Sequence, residues 1–191
     1  MNKKIGVYCS SSDALDEVYV RAAVELGREM CRHQYDLVFG GSGVGLMGLL
    51  ARSVKDGGGK VTGVIPEFIK NKGIAFEEAD AMIVTKDMRE RKSTIENLSN
   101  AFLALPGGFG TMDEIIEVLT LKQLHLHTKP VILLNVNGFF DPLILFFERL
   151  FDQRFVKKDH RELYYVASSC PDVFRYLAVY RPSAVPSKWF G

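Results

Sequence analysis

The sequence has almost no excess charge, few cysteines and no long apolar run. Its 24 basic and 23 acidic side chains leave a net charge of +1, whereas a surface that binds nucleic acid needs a basic excess. Cys9, Cys31 and Cys170 show no C-x-x-C spacing, which favours reduced thiols in a cytoplasm over a disulfide framework. No segment resembles a signal peptide or a membrane span. We therefore expect a cytoplasmic protein without a nucleic-acid or membrane partner.

Apolar side chains, by contrast, are plentiful and regularly spaced. The chain has 191 residues, 47% of them hydrophobic, which is enough for one compact domain over residues 1–191. Short apolar segments that predict strands alternate with helical patterns, and this predicts an α/β fold, a doubly wound, Rossmann-like parallel sheet flanked by helices. The predicted strands cover residues 4–9, 35–39, 60–65, 81–84, 101–105 and 131–134. Residues 182–191 are predicted to form a loose tail.

The stretch 106–114, Pro-Gly-Gly-Phe-Gly-Thr-Met-Asp-Glu, lies between the fifth predicted strand and a helix predicted over 111–124. Glycines there allow a ligand to approach the backbone closely. Backbone N–H groups at a helix N-terminus attract anions such as phosphate. Thr111 and Glu114 also fit a T-x-x-E capping box, which would explain both residues without any function. A capping box does not require the three glycines and the proline.

A second glycine-rich stretch covers residues 40–48, after the second predicted strand. Residues 43–48 match G-x-G-x-x-G, and Glu67 lies near the end of the next strand, so this is formally a dinucleotide-binding fingerprint. We consider this interpretation the weaker one, because the loop at Gly107 competes for the same kind of site. His125 and His127 are too closely spaced for metal ligands on one helix. They are interpreted as charged groups at the C-terminal end of that helix.

Residues 106–114 resemble the PGGxGTxxE motif of the LOG (Lonely Guy) family, cytokinin riboside 5'-monophosphate phosphoribohydrolases that were long labelled lysine decarboxylases. Arg91 and Lys92 match the family's arginine–lysine pair, and residues 40–48 resemble its glycine-rich loop. The resemblance covers about residues 4–156. It implies the doubly wound fold and cleavage of an AMP-like nucleotide, with neither a metal nor a cofactor.

The resemblance also implies the site residues. Arg91 and Glu114 are the implied catalytic residues. The implied substrate-binding residues are Gly41, Gly45, Met88, Lys92, Gly107, Gly108, Phe109, Gly110, Thr111, Met112, Asp113 and Thr120. The sequence departs from the family pattern at Ser10 and Ser42, where glycine is usual, at Gly73, where glutamate is usual, and at Phe76 and Arg89, where histidine is usual. These departures leave open which base is accepted.

Cleavage of an N-glycosidic bond passes through an oxocarbenium-like sugar, so a carboxylate must stabilise that cation or activate water. Glu114 is the matched carboxylate, and Asp113 and Glu117 are nearby alternatives. The guanidinium of Arg91 keeps its proton near neutral pH, so its role is electrostatic. Two other hypotheses remain: a nucleotide carrier without turnover, and an amino-acid decarboxylase, which would need a lysine bound to pyridoxal phosphate.

The helix predicted over 111–124 is apolar around most of its circumference. A helix of this kind must be buried on more than one side. Phe139, Phe140 and Phe147 offer a second partner, either within the chain or across a subunit interface. We favour a homodimer.

Overall fold

The structure, a computed structural model, describes residues 2–182 and 186–189; the rest of the predicted tail lies outside these residues. The strands of the described chain are β1 (Lys3–Tyr8), β2 (Tyr35–Phe39), β3 (Val61–Pro66), β4 (Ala81–Thr85), β5 (Ala101–Ala104), β6 (Val131–Leu134) and β7 (Tyr165–Ala167). The α-helices are α1 (Glu17–Arg32), α2 (Gly45–Asp56), α3 (Glu67–Lys70), α4 (Met88–Leu98), α5 (Phe109–Gln123), α6 (Asp141–Asp152) and α7 (Cys170–Val179). None of them is long and apolar enough to cross a membrane.

The seven strands form one parallel sheet in the order β4-β3-β2-β1-β5-β6-β7. The chain builds outward from β1 to β4, returns to the other side of β1 as β5, and continues to β7. The direction of winding therefore reverses between β1 and β5, where Tyr8 lies opposite Ala104. Open α/β sheets bind ligands at such a reversal, outside the carboxyl ends of the strands. The predicted doubly wound α/β fold is confirmed.

Each face of the sheet carries its own hydrophobic core. On one face, β-strand residues such as Val7 and Leu103 pack with Leu26 of α1, Leu50 of α2 and Phe174 of α7. The other core joins the opposite side chains of the strands to α4, α5 and α6. Its members include Tyr8, Ile95, Phe102, Ile115 and Phe147. Burial on both faces explains why β5 and β6 appear in the sequence as unbroken apolar runs.

Several features differ from the sequence-based expectations. The strand β7 was not predicted, because three residues are too few to show a period-2 pattern. The helix α3, Glu67–Lys70, lies in a segment for which no element was predicted, and α6 and α7 were not predicted either. The helix α5 begins at Phe109, two residues before the predicted start. This last difference changes the interpretation of the glycine-rich motif.

Candidate active site

The N-terminus of α5 lies just beyond the carboxyl end of β5, at the reversal of the sheet. Gly108 is its N-cap residue, and no side chain caps the helix. The first amides of a helix have no acceptor within the helix, and Phe109, Gly110 and Thr111 donate to no other group in the part of the chain that the structure describes. The Phe109 side chain is 96% exposed. These unbonded amides form a row at the start of α5, which we call the α5 cradle (residues 107–111).

The capping-box interpretation of Thr111 and Glu114 is wrong. A capping box requires the first residue to be the N-cap, but Thr111 lies inside the first turn because the extended conformation of Gly108 lets the helix begin earlier. Thr111 is buried and packs against Gly107, where an added Cβ would overlap the Thr111 hydroxyl. Glu114, on the second turn, contacts a residue of another helix.

That residue is Arg91 on α4, and the two side chains form a buried ion pair. Nη1 of Arg91 donates to Oε1 of Glu114, and both residues are less than a tenth exposed. Nε of Arg91 donates to the carbonyl oxygen of Val64 at 3.2 Å, which fixes the guanidinium at the edge of the sheet. Burial raises the pKa of the Glu114 carboxyl above its ordinary value, and Arg91 partly offsets this effect. The structure thus places the two predicted catalytic residues in direct contact.

Lys92, the other member of the predicted arginine–lysine pair, is held by two carboxylates of α5. Its ammonium lies 3.0 Å from Oδ2 of Asp113 and 2.9 Å from Oε2 of Glu117. Burial lowers the pKa of Lys92, but the hydrogen bonds and charges of Glu117 and Asp113 outweigh it, so the pKa is raised overall. The predicted substrate-binding residues Lys92 and Asp113 are therefore bound to each other in this structure.

The N-terminus of α2, in the second glycine-rich stretch, is filled by the chain itself. Oδ1 of Asp13 accepts a hydrogen bond of 2.8 Å from the amide of Gly45, the first residue of α2. Neighbouring amides donate to the backbone oxygens of Ser10 and Ile74. A carboxylate of the protein thus lies where an external anion would bind. The dinucleotide interpretation loses its main physical support, because the amide of the central glycine of the fingerprint is already bonded.

The glycines of this second stretch allow close packing instead. Gly41 and Gly45 have φ values of +75° and +62°, which favour glycine. An added Cβ at Gly41 would lie 3.0 Å from Ile65, and one at Gly45 would overlap the backbone of Ser11. Both predicted binding residues therefore have a structural reason to be glycine.

Two further predicted binding residues are not part of the α5 cradle. Met88 is the first residue of α4, after the N-cap Asp87. Thr120 is ten residues further along α5 than Gly110, which corresponds to about 15 Å of helix, and its hydroxyl donates to the carbonyl oxygen of Ile116. The structure does not bring Thr120 to the cradle of its own chain. Met112 is half-buried in the first helical turn.

Comparisons with known proteins identify the family of this chain. Residues 47–177 match a family model described as "Possible lysine decarboxylase". The cytokinin riboside 5'-monophosphate phosphoribohydrolase LOG2 of Arabidopsis thaliana is 40% identical over 180 residues, which cover 94% of this chain and 84% of the relative. The cytokinin riboside 5'-monophosphate phosphoribohydrolase LOG of Oryza sativa subsp. japonica is also 40% identical over 180 residues, which cover 94% of this chain and 74% of the relative. The chain belongs to the LOG family.

Solved structures show the same fold with lower sequence identity to this LOG-family chain. The molybdenum cofactor carrier protein of Chlamydomonas reinhardtii is 26% identical, with a TM-score of 0.73 over 93% of this chain and 96% of that one. The molybdenum cofactor binding protein of Rippkaea orientalis has a TM-score of 0.72 at 24% identity, over 93% and 96% of the two chains. The latter similarity shows the fold alone.

The departures from the LOG-family pattern have local explanations. Gly73 has a φ of +73° and open space around it, so the usual glutamate would be strained in this backbone conformation. Phe76 is only 2% exposed and packs edge-to-face against Phe39, so this aromatic ring belongs to the core rather than to the surface. Arg89 is exposed on the first turn of α4.

The interpretation of His127 as a charged helix terminus is wrong. Its Nδ1 accepts a hydrogen bond from the amide of Lys129 and its Nε2 lies 2.8 Å from the carbonyl oxygen of Val118, which fixes a neutral ring that donates from Nε2. Burial lowers the pKa of His127, although the hydrogen bond to Val118 opposes this. This environment could not be inferred from a helical pattern, because His127 lies in the connection that follows α5.

Sequence reasoning also missed two residues beside the site. Asp13, which fills the start of α2, was not among the predicted site residues. Gly40 belongs to the second glycine-rich stretch but was not among the predicted site residues, although it contacts Arg91. Neither contact could be inferred from spacing, because both join segments that are far apart in the sequence.

Proposed function

We propose that this protein hydrolyses the N-glycosidic bond of nucleoside 5'-monophosphates, releasing the free base and ribose 5-phosphate. The observation that carries this proposal is the buried Arg91–Glu114 pair beside the open α5 cradle at the reversal of the sheet. A phosphate site next to a buried carboxylate is what such a reaction requires. Membership of the LOG family supports the reaction, since the curated relatives are named for it.

In the proposed complex the 5'-phosphate is bound by the α5 cradle. The free amides of Phe109, Gly110 and Thr111 point to the start of the helix, where the helix dipole also favours negative charge. At Gly108 and Gly110 the approach is open, because an added Cβ would meet no protein atom within 4 Å. The cradle needs no basic side chain, which agrees with the pairing of Lys92 to carboxylates.

Glu114 is the proposed catalytic carboxylate. When ionised, it stabilises the positive charge that develops on the ribose, or takes a proton from the water that attacks the anomeric carbon. Water adds to that carbon as the bond to the base breaks, and the departing base gains a proton from the solvent. Arg91 holds the carboxylate in place and favours its ionised form. Asp113 and Glu117 are weaker candidates, because Lys92 already neutralises both.

We propose that the active unit is a homodimer. Large apolar side chains are exposed along α5 and α6: Leu145 is 71% exposed, Phe146 54% and Ile116 38%. Phe147 is buried within the chain. It therefore covers only part of the apolar surface of α5 that faces away from the sheet. Across a subunit interface, Thr120 could reach the substrate of the partner, which its own chain does not allow. Light scattering at micromolar concentration should give twice the chain mass of 21.4 kDa.

We also propose that the protein acts in the cytoplasm. Within the described residues Cys9, Cys31 and Cys170 are all free thiols, as expected where thiols stay reduced. Burial raises the pKa of Cys9 and Cys170, so both are poor nucleophiles. Fractionation of the source cells would test this location.

A nucleotide carrier without turnover is the second candidate, because the molybdenum cofactor carrier protein of Chlamydomonas reinhardtii has the same fold and is 26% identical to this chain. Both candidates use the same cradle, but only hydrolysis needs the carboxylate of Glu114. Decarboxylation through pyridoxal phosphate has less support. A Schiff-base lysine needs a lowered pKa, but the pKa of Lys92, the lysine beside Arg91, is raised. Lys122 and Lys129, whose pKa values are lowered, each donate to a backbone carbonyl oxygen.

The deciding experiment is incubation of the protein with a panel of nucleoside 5'-monophosphates, including AMP and isoprenylated AMP, with free base and ribose 5-phosphate as readouts. The proposal predicts release of both products in equal amounts from at least one member. Tight binding without any release would favour the carrier. Absorbance of the purified protein at the aldimine band, followed by lysine turnover, would favour the decarboxylase.

A further inference from the structure

We propose that Gly40 is a positioning residue for Arg91, and that the absence of a side chain at position 40 is what allows the guanidinium to reach Glu114. Gly40 follows the last residue of β2, and Arg91 approaches it from α4. A Cβ added at Gly40 would overlap Nη2 of Arg91 and would lie 3.1 Å from Cζ of the same side chain. Real Cβ atoms essentially never show such an overlap with Nη2, so one of the two groups would have to move.

The guanidinium cannot move without losing its partners. Its Nε is bonded to the carbonyl oxygen of Val64 and its Nη1 to Glu114, so two of its three nitrogens already have acceptors. A planar, forked group cannot rotate one nitrogen while the other two keep their acceptors. The remaining neighbour of the added Cβ, Sδ of Met47 at 3.1 Å, is flexible and can adjust. The steric conflict therefore falls on Arg91.

The consequence for catalysis rests on the proposed function. A displaced guanidinium leaves Glu114 buried but without its counter-charge, and burial alone favours the protonated form. A smaller fraction of Glu114 is then ionised near neutral pH, and the ionised carboxylate is less well oriented. Gly40 is not one of the cradle residues, so its substitution should change kcat more than KM.

The first test compares Gly40→Ala with Gly6→Ala. Gly6 is a glycine of the neighbouring strand β1 whose added Cβ would meet the side chain of Ser99, so it is equally overpacked but does not touch Arg91. We expect Gly40→Ala to lower kcat about tenfold or more, as for loss of an oriented catalytic group, and to leave KM within about twofold. The acid limb of the pH profile should move to higher pH. Gly6→Ala should keep the wild-type kcat and pH profile. An unshifted pH profile for Gly40→Ala, or equal losses in the two variants, overturns the proposal.

The second test does not depend on activity. Lysine at position 91 lacks the Nη2 branch, so Gly40→Ala should lower Tm clearly less in an Arg91→Lys background than in the wild type. Additive changes in Tm overturn the proposal. If Gly40→Ala alone does not fold, a folded double variant supports the steric conflict and an unfolded one refutes it. A wild-type protein that cleaves no nucleotide would refute the proposed function and leave this Tm comparison to decide the role of Gly40.

Discussion

The starts of α2 and α5 have much in common. Each helix follows a buried parallel strand, begins after a glycine-rich turn and lies at the carboxyl edge of the same sheet. They differ in whether the chain itself supplies a hydrogen-bond acceptor for the first amides of the helix. At α2 the carboxylate of Asp13 accepts from Gly45, whereas at α5 no group in the described ranges accepts from Gly110 or Thr111.

This difference shows that glycine content alone does not identify a phosphate site. The glycines at α2 allow segments of the chain to pack closely, as Gly45 does against Ser11. At Gly108 and Gly110 of α5 the space beside the backbone is open. At α2 the amides of Gly45 and Met47 have acceptors within the chain, whereas those of Phe109, Gly110 and Thr111 at α5 have none among the described residues. This difference favours α5 over α2 as the proposed site of phosphate binding.

The largest effect should come from removing the 5'-phosphate of the substrate. Each charge-assisted hydrogen bond lost from the cradle costs about 1.5–3 kcal/mol, so adenosine should be cleaved with a kcat/KM about 10³-fold or more below that of AMP. Steady-state assays of the pair at equal pH measure the ratio. Equal rates would mean that the free amides of α5 do not bind the phosphate.

Glu114→Gln should reduce turnover by about 10²-fold or more, because the variant keeps the shape of the side chain and loses the charge. It should also lower Tm, since the buried guanidinium of Arg91 loses its counter-charge. The matched control is Glu29→Gln, a buried carboxylate of α1 that is paired with Arg32. The control should keep the wild-type kcat. A Glu114→Gln protein with full turnover would refute the catalytic assignment and make Asp113 the next carboxylate to test.

The pH profile should show the raised pKa of Glu114. Because the ionised carboxylate is the active form, kcat/KM should fall with decreasing pH through a pKa above the ordinary glutamate value of about 4.3, losing about tenfold per unit below it. Rates measured between pH 4 and 8 with AMP test this. A flat profile down to pH 4 would show that the reaction does not need this carboxylate in its ionised form.

Asp13→Ala tests the α2 side of the comparison. Losing the acceptor for Gly45 should cost about 1 kcal/mol of stability, as for other helix N-terminal acceptors, while kcat/KM stays within about twofold. Asp16→Ala is the control, because Asp16 is the N-cap of α1 but makes no capping hydrogen bond. Unfolding followed by circular dichroism gives the stabilities. A large loss of turnover at unchanged stability would place substrate at α2 instead.

The smallest effect concerns the far end of α5, where the buried Lys122 donates to the carbonyl oxygen of Leu163. Burial lowers its pKa to about 8. Between that value and the unfolded value of about 10.4, the unfolded chain binds a proton that the folded chain has lost, so stability should rise with pH across this window. Denaturant midpoints of wild type and Lys122→Met at pH 7.5 and 9.5 test this. The wild type should gain stability over that interval relative to the variant, and a parallel change would contradict the assignment.

The sequence sufficed for the alternation of strands and helices, and the family resemblance named Arg91 and Glu114, which the structure brings into contact. It did not suffice for the strand β7, whose three residues carry too little pattern, or for the start of α5, which depends on the conformation of Gly108. The sequence also contains a second glycine-rich stretch, residues 40–48, which we considered the weaker candidate for a phosphate site. The physical reason is visible only in the structure, because Asp13 reaches Gly45 from 32 residues away and no local pattern encodes that contact.

The central claim is that phosphate binds at α5 and not at α2, and an amide NMR titration of the wild-type protein with ribose 5-phosphate tests it most directly. Backbone ¹H–¹⁵N spectra report the two helix starts separately within one sample. The account predicts saturable shifts for Gly108, Gly110 and Thr111, with Gly45 unchanged. Saturable shifts at Gly45 with the α5 amides unchanged would contradict it.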